Sequence, residues 1–432
     1  MLGIVDFYMV PLGLFLKAST EQIGFLVSLP RLLSSFALLF AVRVVQVVGS
    51  RLIFVARGAL LQSILLVPVA FLAFSGSPWR VHLLITLAVL YRCLESLIGP
   101  AWGSLMSDYL PPEKRGSYFG WRSQIVGLAQ VVGMGIGGVI LFAADPEHAA
   151  AGFLTIFLIA ASARLVSCWI LCRQADLPFH PSPESDFTFL MFLRRFRESN
   201  FVKFTFYVAG IVFTTFLSAP YFSVYMLRDL QFDYLTYIAM HLASVLMGLM
   251  AVPVWGRHAD LVGNAHVLKI TGLFVPIIPV LWLVSRNPVY LFLIEFFSGF
   301  IWAGFNLCAT NFVYDAVTPA KRVRCLGYFN LINGMAVFGG SIIGGFLADR
   351  LPPIRGFPIL SLFVISGLGR ALVRLTLGPS FREVRESHRK VSSVRLFFSV
   401  VGIRPLTSEN EQLIFPVFRR LRRHSSGFQP KK

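Results

Sequence analysis

A chain of 432 residues that is 56% hydrophobic and only 14% charged, with a mean hydropathy of +0.71, is too apolar for a soluble domain: no interior of that size would hold 42 phenylalanines, whereas a bilayer takes up such surface without needing an inside. The net charge of +18 does not indicate nucleic acid, because the basic residues sit between apolar runs instead of interleaving with aromatics on one patch. The cysteines, Cys93, Cys168, Cys172, Cys308 and Cys325, lie in apolar runs or at their ends and imply no disulfide framework. Cys168 and Cys172 share a helix face without further His or Cys, so neither a metal nor a cofactor is expected.

The first apolar stretch, residues 1–16, has no basic leader or small-residue cleavage site and carries Asp6, so it reads as a retained span. As a helix it would extend about 24 Å, short of the roughly 30 Å hydrocarbon core, so it is either short and tilted or begins upstream of Met1. Further stretches long enough to cross follow near 22–46, 52–74, 81–107, 123–143 and 151–172. After a polar, Pro-containing segment come six more, near 204–226, 234–255, 268–285, 288–314, 325–348 and 357–377. The expected organisation is an N-terminal six-helix bundle (1–172), a connector (173–203), a C-terminal six-helix bundle (204–377) and a basic tail (378–432). Residues 187–198 mix Phe and Leu with Arg194, Arg195 and Arg197, and the tail holds twelve Arg or Lys against four Glu. Both compositions suit attachment to an anionic lipid surface.

Charge orients the spans. The loops on the side of both termini carry sixteen Lys or Arg, among them Arg43, Arg51, Arg115, Arg257 and Arg322, against six on the other side: Lys17, Arg80, Arg228, Arg286, Arg350 and Arg355. By the positive-inside rule both termini are cytoplasmic, in an inner membrane.

Residues 108–138 align without gaps onto 315–345. Asp108, Pro112, Lys114, Arg115, Gly120, Gly127, Gly133, Gly137 and Gly138 face Asp315, Pro319, Lys321, Arg322, Gly327, Gly334, Gly340, Gly344 and Gly345. The chain is therefore an internal duplication. In both halves a glycine pair four residues apart marks spans 5 and 11 as close-packing seams.

The loop after span 8, Gly256-Arg-His-Ala-Asp260-Leu-Val-Gly263, resembles the signature loop of the major facilitator superfamily. The equivalent after span 2 keeps Gly49 and Arg51 but has Val42 and Gln46 in place of glycine and aspartate. With the duplication and the two-times-six topology, the resemblance covers residues 1–377. It implies an all-α membrane protein of twelve helices in two pseudo-symmetric bundles, a secondary transporter of a small solute. It also implies that spans 1, 4, 7 and 10 line a central cavity, and that Asp260 latches the inner gate against the start of span 5 near Arg115. A helix start, with free N–H groups and partial positive charge, suits that role.

Charges within spans are costly and tend to face water or a partner. Arg92 and Glu95 share a face at mid-depth of span 4, and Asp6 lies at similar depth. Glu295, Gly299, Trp302 and Asn306 recur on one face of span 10, onto which the repeat carries Arg92, Glu95 and Gly99. Asp6, Arg92, Glu95, Glu295, Trp302 and Asn306 are the candidates for substrate or proton handling, although an ion pair between Arg92 and Glu95 alone explains those two equally. Arg31, Arg164 and His241 have no counterpart face, and a hydrogen bond within the bundle is expected for His241. No phosphate-binding loop appears, so ion or substrate gradients supply the energy. No nucleophile, base and orienting group assemble, which argues against an enzyme. The degenerate Gln46 loop and the basic tail leave open an alternative, a transport-inactive receptor or assembly factor of the same fold.

Overall fold

The computed structural model describes residues 1–144, 146–177, 199–317 and 319–384. The surface-attachment segments expected at 187–198 and beyond 384 lie outside the described residues, as do the side chains of Arg115, Lys321, Arg322 and Arg324.

The first half runs through α1 (Leu2–Phe15), α2 (Thr20–Leu38), α3 (Ala41–Val48), α4 (Arg51–Phe71), α5 (Arg80–Tyr109), α6 (Pro112–Ala143) and α7 (Ala149–Leu171). The second runs through α8 (Asn200–Phe216), α9 (Ala219–Val224), α10 (Tyr234–Val262), α11 (Asn264–Phe274), α12 (Ile277–Leu281), α13 (Pro288–Ala316), α14 (Pro319–Ala348) and α15 (Pro358–Thr376). Spans 2, 7 and 9 are each broken in two, giving α2–α3, α8–α9 and α11–α12. Ten segments are long and apolar enough to cross a membrane. With the shorter α1 and the Glu21- and Arg31-bearing α2, they complete the twelve helices.

The sequence duplication is visible in the packing. Pro112 and Pro319 begin α6 and α14, where a missing N–H costs nothing. Gly137 takes the ring of Tyr8 and Gly344 the ring of Tyr221. A Cβ on Gly344 would lie 2.1 Å from the Leu217 carbonyl oxygen, so α14 touches span 7 through bare backbone, and α6 touches α1 likewise. Tyr8 donates its hydroxyl to the Met134 carbonyl at 2.6 Å and Tyr221 to that of Ser341, two positions that the repeat superposes. Spans 5 and 11 are the seams that their glycine spacing predicts. Each also reaches the opposite half, Gly138 against Ile238 of α10 and Gly345 against Thr20 and Glu21 of α2.

The signature loops repeat the correspondence. Gly49 closes α3 at φ +75° and Gly263 closes α10 at φ +90°, backbone that a residue with a Cβ adopts only under strain. Just beyond, Arg51 donates to Asp108 at 2.6 Å and Asn264 to Asp315 at 2.7 Å, each tying the start of one span to the end of the next in its half. Residues after α15 remain packed: Phe381 is fully buried, and the Glu383 carboxylate accepts from the Ala265 N–H at 2.7 Å, capping the N-terminus of α11.

Candidate functional site

Asp6 of α1 and Arg92 and Glu95 of α5 meet. Arg92 donates one guanidinium nitrogen to Asp6 and another to Glu95, the latter at 2.7 Å. Side-chain exposures of 31% for Arg92, 26% for Asp6 and 35% for Glu95 leave this bridge partly accessible, not sealed in a dry core. The intrahelical pair expected from spacing is thus half of a three-residue bridge between two helices.

Sequence reasoning passed over Arg31, and the structure places it here. It lines a space of about 70 Å³ with Asp6, Tyr91 and Arg92, close enough to feel the charges of Asp6 and Arg92. Its guanidinium lies 4.7 Å from the ring centroid of Phe216 in the other half. Arg31 is exposed, with Asp6 and Arg92 of the first half on one side and Phe216 of the second on the other, so it looks into an opening between them. Local chemistry shapes this turn. Pro30 gives α2 no N–H to offer the Leu26 carbonyl, and Ser34 and Ser35 both donate back to the Arg31 carbonyl, at 3.0 and 2.8 Å. The mid-membrane charge was itself the available signal. The repeat hid it, because α10 has no arginine to match.

Arg164, also set aside on sequence grounds, donates twice to the Gln62 side chain, at 2.9 and 2.5 Å, while Gln62 donates to the Tyr91 carbonyl at 3.2 Å. Both border a cavity of about 540 Å³ in the first half, together with Glu95, Gly99 and Trp102. Arg122 stacks on Trp102 at 3.9 Å.

The second half contributes a different surface. Glu295 stands beside Ser244 of α10 and near Tyr237. A Cβ on Gly299 would fall 2.1 Å from the Ser244 carbonyl oxygen, so at the level matching Arg92 the α13 face is a helix seam and not an open wall. One face in both halves therefore does not mean one environment. Trp302 is half-buried, edge-on to Phe305 at 5.4 Å, and Asn306 is exposed with its carbonyl accepting from Thr310. His241 does not make the hydrogen bond expected of it among the described residues. Its ring lies edge-on to Tyr237 at 4.5 Å and tilted to Phe7 at 5.9 Å, an aromatic bridge between the halves.

The two ends of the molecule differ. At one end the halves are clasped: Arg228, itself held by Asp349 of its own half at 3.4 Å, donates to Thr20 at 2.9 Å, and Arg350 donates to Glu21 at 2.9 Å. Toward the other, Gly99 and Gly103 face space with nothing within 4 Å of a Cβ, and Asn306, Thr310 and Tyr314 are exposed. Gly256, Asp260 and Gly263 lie at this second end. Asp260 is exposed on the last turn of α10, and its expected partner, the Arg115 side chain, lies outside the described residues. Among those residues no cysteine is in a disulfide, and no three His, Cys, Asp or Glu group as a metal site would require.

A family model described as Major Facilitator Superfamily matches residues 2–337 and 205–425. A search of curated proteins returned no match. The chain is similar in structure to the nucleoside transporter NupG (TM-score 0.64, 15% identity, covering 87% of this chain and 97% of that one). It is similar also to a D-xylose-proton symporter (0.66, 13%, 90% and 93%) and to a bacterial homologue of the iron transporter ferroportin in an inward-facing state (0.65, 15%, 87% and 94%). At such identities the likeness is one of fold.

Proposed function

Because the chain belongs to the major facilitator superfamily, a family of multi-pass membrane transporters, we propose that it carries a small solute through the cavity between its halves by alternating access, in an inner membrane with both termini cytoplasmic. The observation that carries this reading is the Asp6–Arg92–Glu95 bridge, which exposes three charges to an interior space at mid-depth. That is a costly arrangement for a helix that only needs an anchor.

In the same reading the clasped end, with Thr20, Glu21, Arg228, Asp349 and Arg350, is the outer gate, shut here. The end bearing Gly99, Gly103 and Asn306 opens inward, and Asp260 steadies the inner gate against the start of α6 when that side closes. Glu295, a carboxyl with a serine for partner, carries a coupling proton. The halves, 1–172 and 204–377, rock about the cavity.

The test compares metabolite profiles of a strain lacking the chain with one overexpressing it, then measures flux of the solute that differs, in vesicles holding wild type or the neutral variant Asp6→Asn/Arg92→Gln/Glu95→Gln. Native flux and native pH dependence in the folded variant would make the bridge structural. A chain that alters no solute level, yet captures a partner through its tail, would instead be a receptor of the same fold.

A further inference from the structure

We propose that Arg31 is the anchor for an anionic group, a carboxylate or a phosphate, on the solute that this cavity takes; the proposal rests on the transport reading and names its substrate class. Arg92 is occupied, since it already donates to both Asp6 and Glu95. Arg31 stands beside them with no hydrogen bond or ion pair from its guanidinium among the described residues. Among the described residues its contact is the Phe216 face at 4.7 Å, which leaves the guanidinium N–H donors to the space that Arg31 lines.

The local balance has the same sign. Arg31, Arg92 and Arg164, with Arg122 on the same cavity as Glu95, gather around two carboxylates among the described residues, Asp6 and Glu95, and Arg164, held by Gln62, feels Glu95. This wall therefore carries a surplus of positive charge. Glu295, on the opposite half, has Ser244 for a partner. A guanidinium presents parallel N–H donors to two oxygens of a carboxylate or phosphate. Arg31 also leans on Phe216, the residue that ends α8 where span 7 breaks, so an anion there would touch α2 directly and bear on the other half through that ring. A neutral sugar or nucleoside would leave the surplus charge unpaired.

The experiment places a reporter thiol at Val27, one turn before Arg31 and lining the same space, in a chain whose accessible Cys93 and Cys172 are replaced by serine. Reaction rates with an anionic sulfonatoethyl and a cationic trimethylammonioethyl methanethiosulfonate are taken as a ratio, normalised to a small free thiol. The ratio cancels any change in the thiol's own ionisation, which would affect both reagents alike. The normalised ratio should exceed one, fall about threefold to tenfold in Arg31→Gln, and be kept in Arg31→Lys. A ratio at or below one in the parent, which requires no folded Arg31 variant, overturns the proposal, and so does an unchanged ratio in Arg31→Gln. If the ratio behaves as expected but no anion crosses the vesicle membrane, the transport reading fails while anion binding stands. If the ratio is unmoved and a neutral solute crosses, the reverse holds.

Discussion

Replacing Arg92 by glutamine should destabilise the chain more than neutralising the whole bridge. Arg92 holds Asp6 and Glu95 at once, with all three side chains about one third exposed. Fully exposed pairs are worth about 0–1 kcal/mol, and breaking a buried pair costs about 3–5 kcal/mol, because it strands a charge. At intermediate exposure we take about 1–2 kcal/mol for each stranded carboxylate, so Arg92→Gln should cost about 2–4 kcal/mol. The triple variant Asp6→Asn/Arg92→Gln/Glu95→Gln strands no carboxylate and keeps near-isosteric side chains; Arg31 and Arg164 lose a neighbouring countercharge but keep Phe216 and Gln62, so its cost should be about 1 kcal/mol. Thermal unfolding of the purified full chain in detergent, read by the fraction that stays monodisperse after heating, gives the order: wild type and triple variant close together, single variant well below. The reasoning is refuted if the single variant is as stable as wild type, or if the triple variant is no more stable than the single, for then the charges do not act through one another.

Gly344→Ala should cost about 1–3 kcal/mol by driving a methyl into the Leu217 carbonyl, whereas Gly135→Ala, which meets nothing within 4 Å, should cost far less in the same melt. Arg228→Gln removes the contacts to Thr20 and Asp349; these are partly exposed, so labelling of cavity cysteines from the clasped side should rise only about twofold to fivefold. Asp260→Asn should raise labelling of cavity positions from the opposite side, and unchanged labelling would count against the latch. Asp233 caps α10 by accepting from the Thr236 N–H at 2.9 Å and hydroxyl at 2.7 Å. Burial would raise its pKa, but the Thr236 bonds outweigh it and hold the carboxyl below its ordinary 3.8. A depressed folded-state pKa stabilises above the unfolded value and is lost as pH falls through the folded one. Protection of the first α10 amides from hydrogen exchange should therefore fade below about pH 4, and Asp233→Ala should remove about 1 kcal/mol of it at neutral pH.

The sequence was most legible where a residue's role depends on backbone alone. Gly137 and Gly344 are needed because helices touch there without side chains, and Gly49 and Gly263 because the chain turns through positive φ; such demands recur in both halves and survive as aligned letters. The charged site was legible only in outline. Arg92 and Glu95 announced themselves by spacing, but that spacing says nothing of Asp6, whose partner lies 86 positions away in the chain. The repeat misled at Arg31 and at Gly299. Duplication preserves the scaffold, while a site between two unlike solute ends requires the halves to differ, so the residues without a counterpart are where function is expected to lie.

Arg370 of α15 shows the same logic for movement. It is a fully buried cation that donates to the Val275 carbonyl at 3.1 Å and the Ser218 hydroxyl at 3.0 Å, with no carboxylate among its described partners. Both acceptors sit at helix breaks. Pro279 cannot donate to Val275, which leaves that carbonyl free between α11 and α12. Ser218 lies between α8 and α9, just before Pro220. Ser366, a turn earlier on α15, donates to Thr214 at 2.6 Å. One arginine thus fills the carbonyl that Pro279 leaves free and, through the Ser218 hydroxyl, joins the broken spans 7 and 9 to span 12. Breaks tied by fixed donors hold their angle, so in the proposed transport cycle the second half would move as a unit, with spans 7 and 9 kept from bending independently. The break in span 2 is different. Leu39 and Phe40, which separate α2 from α3, are exposed, and no buried cation bridges them among the described residues. The α2–α3 break, about two turns beyond Arg31 on the helix that carries it, is therefore the least tied of the three and the one through which α2 could answer to what Arg31 holds.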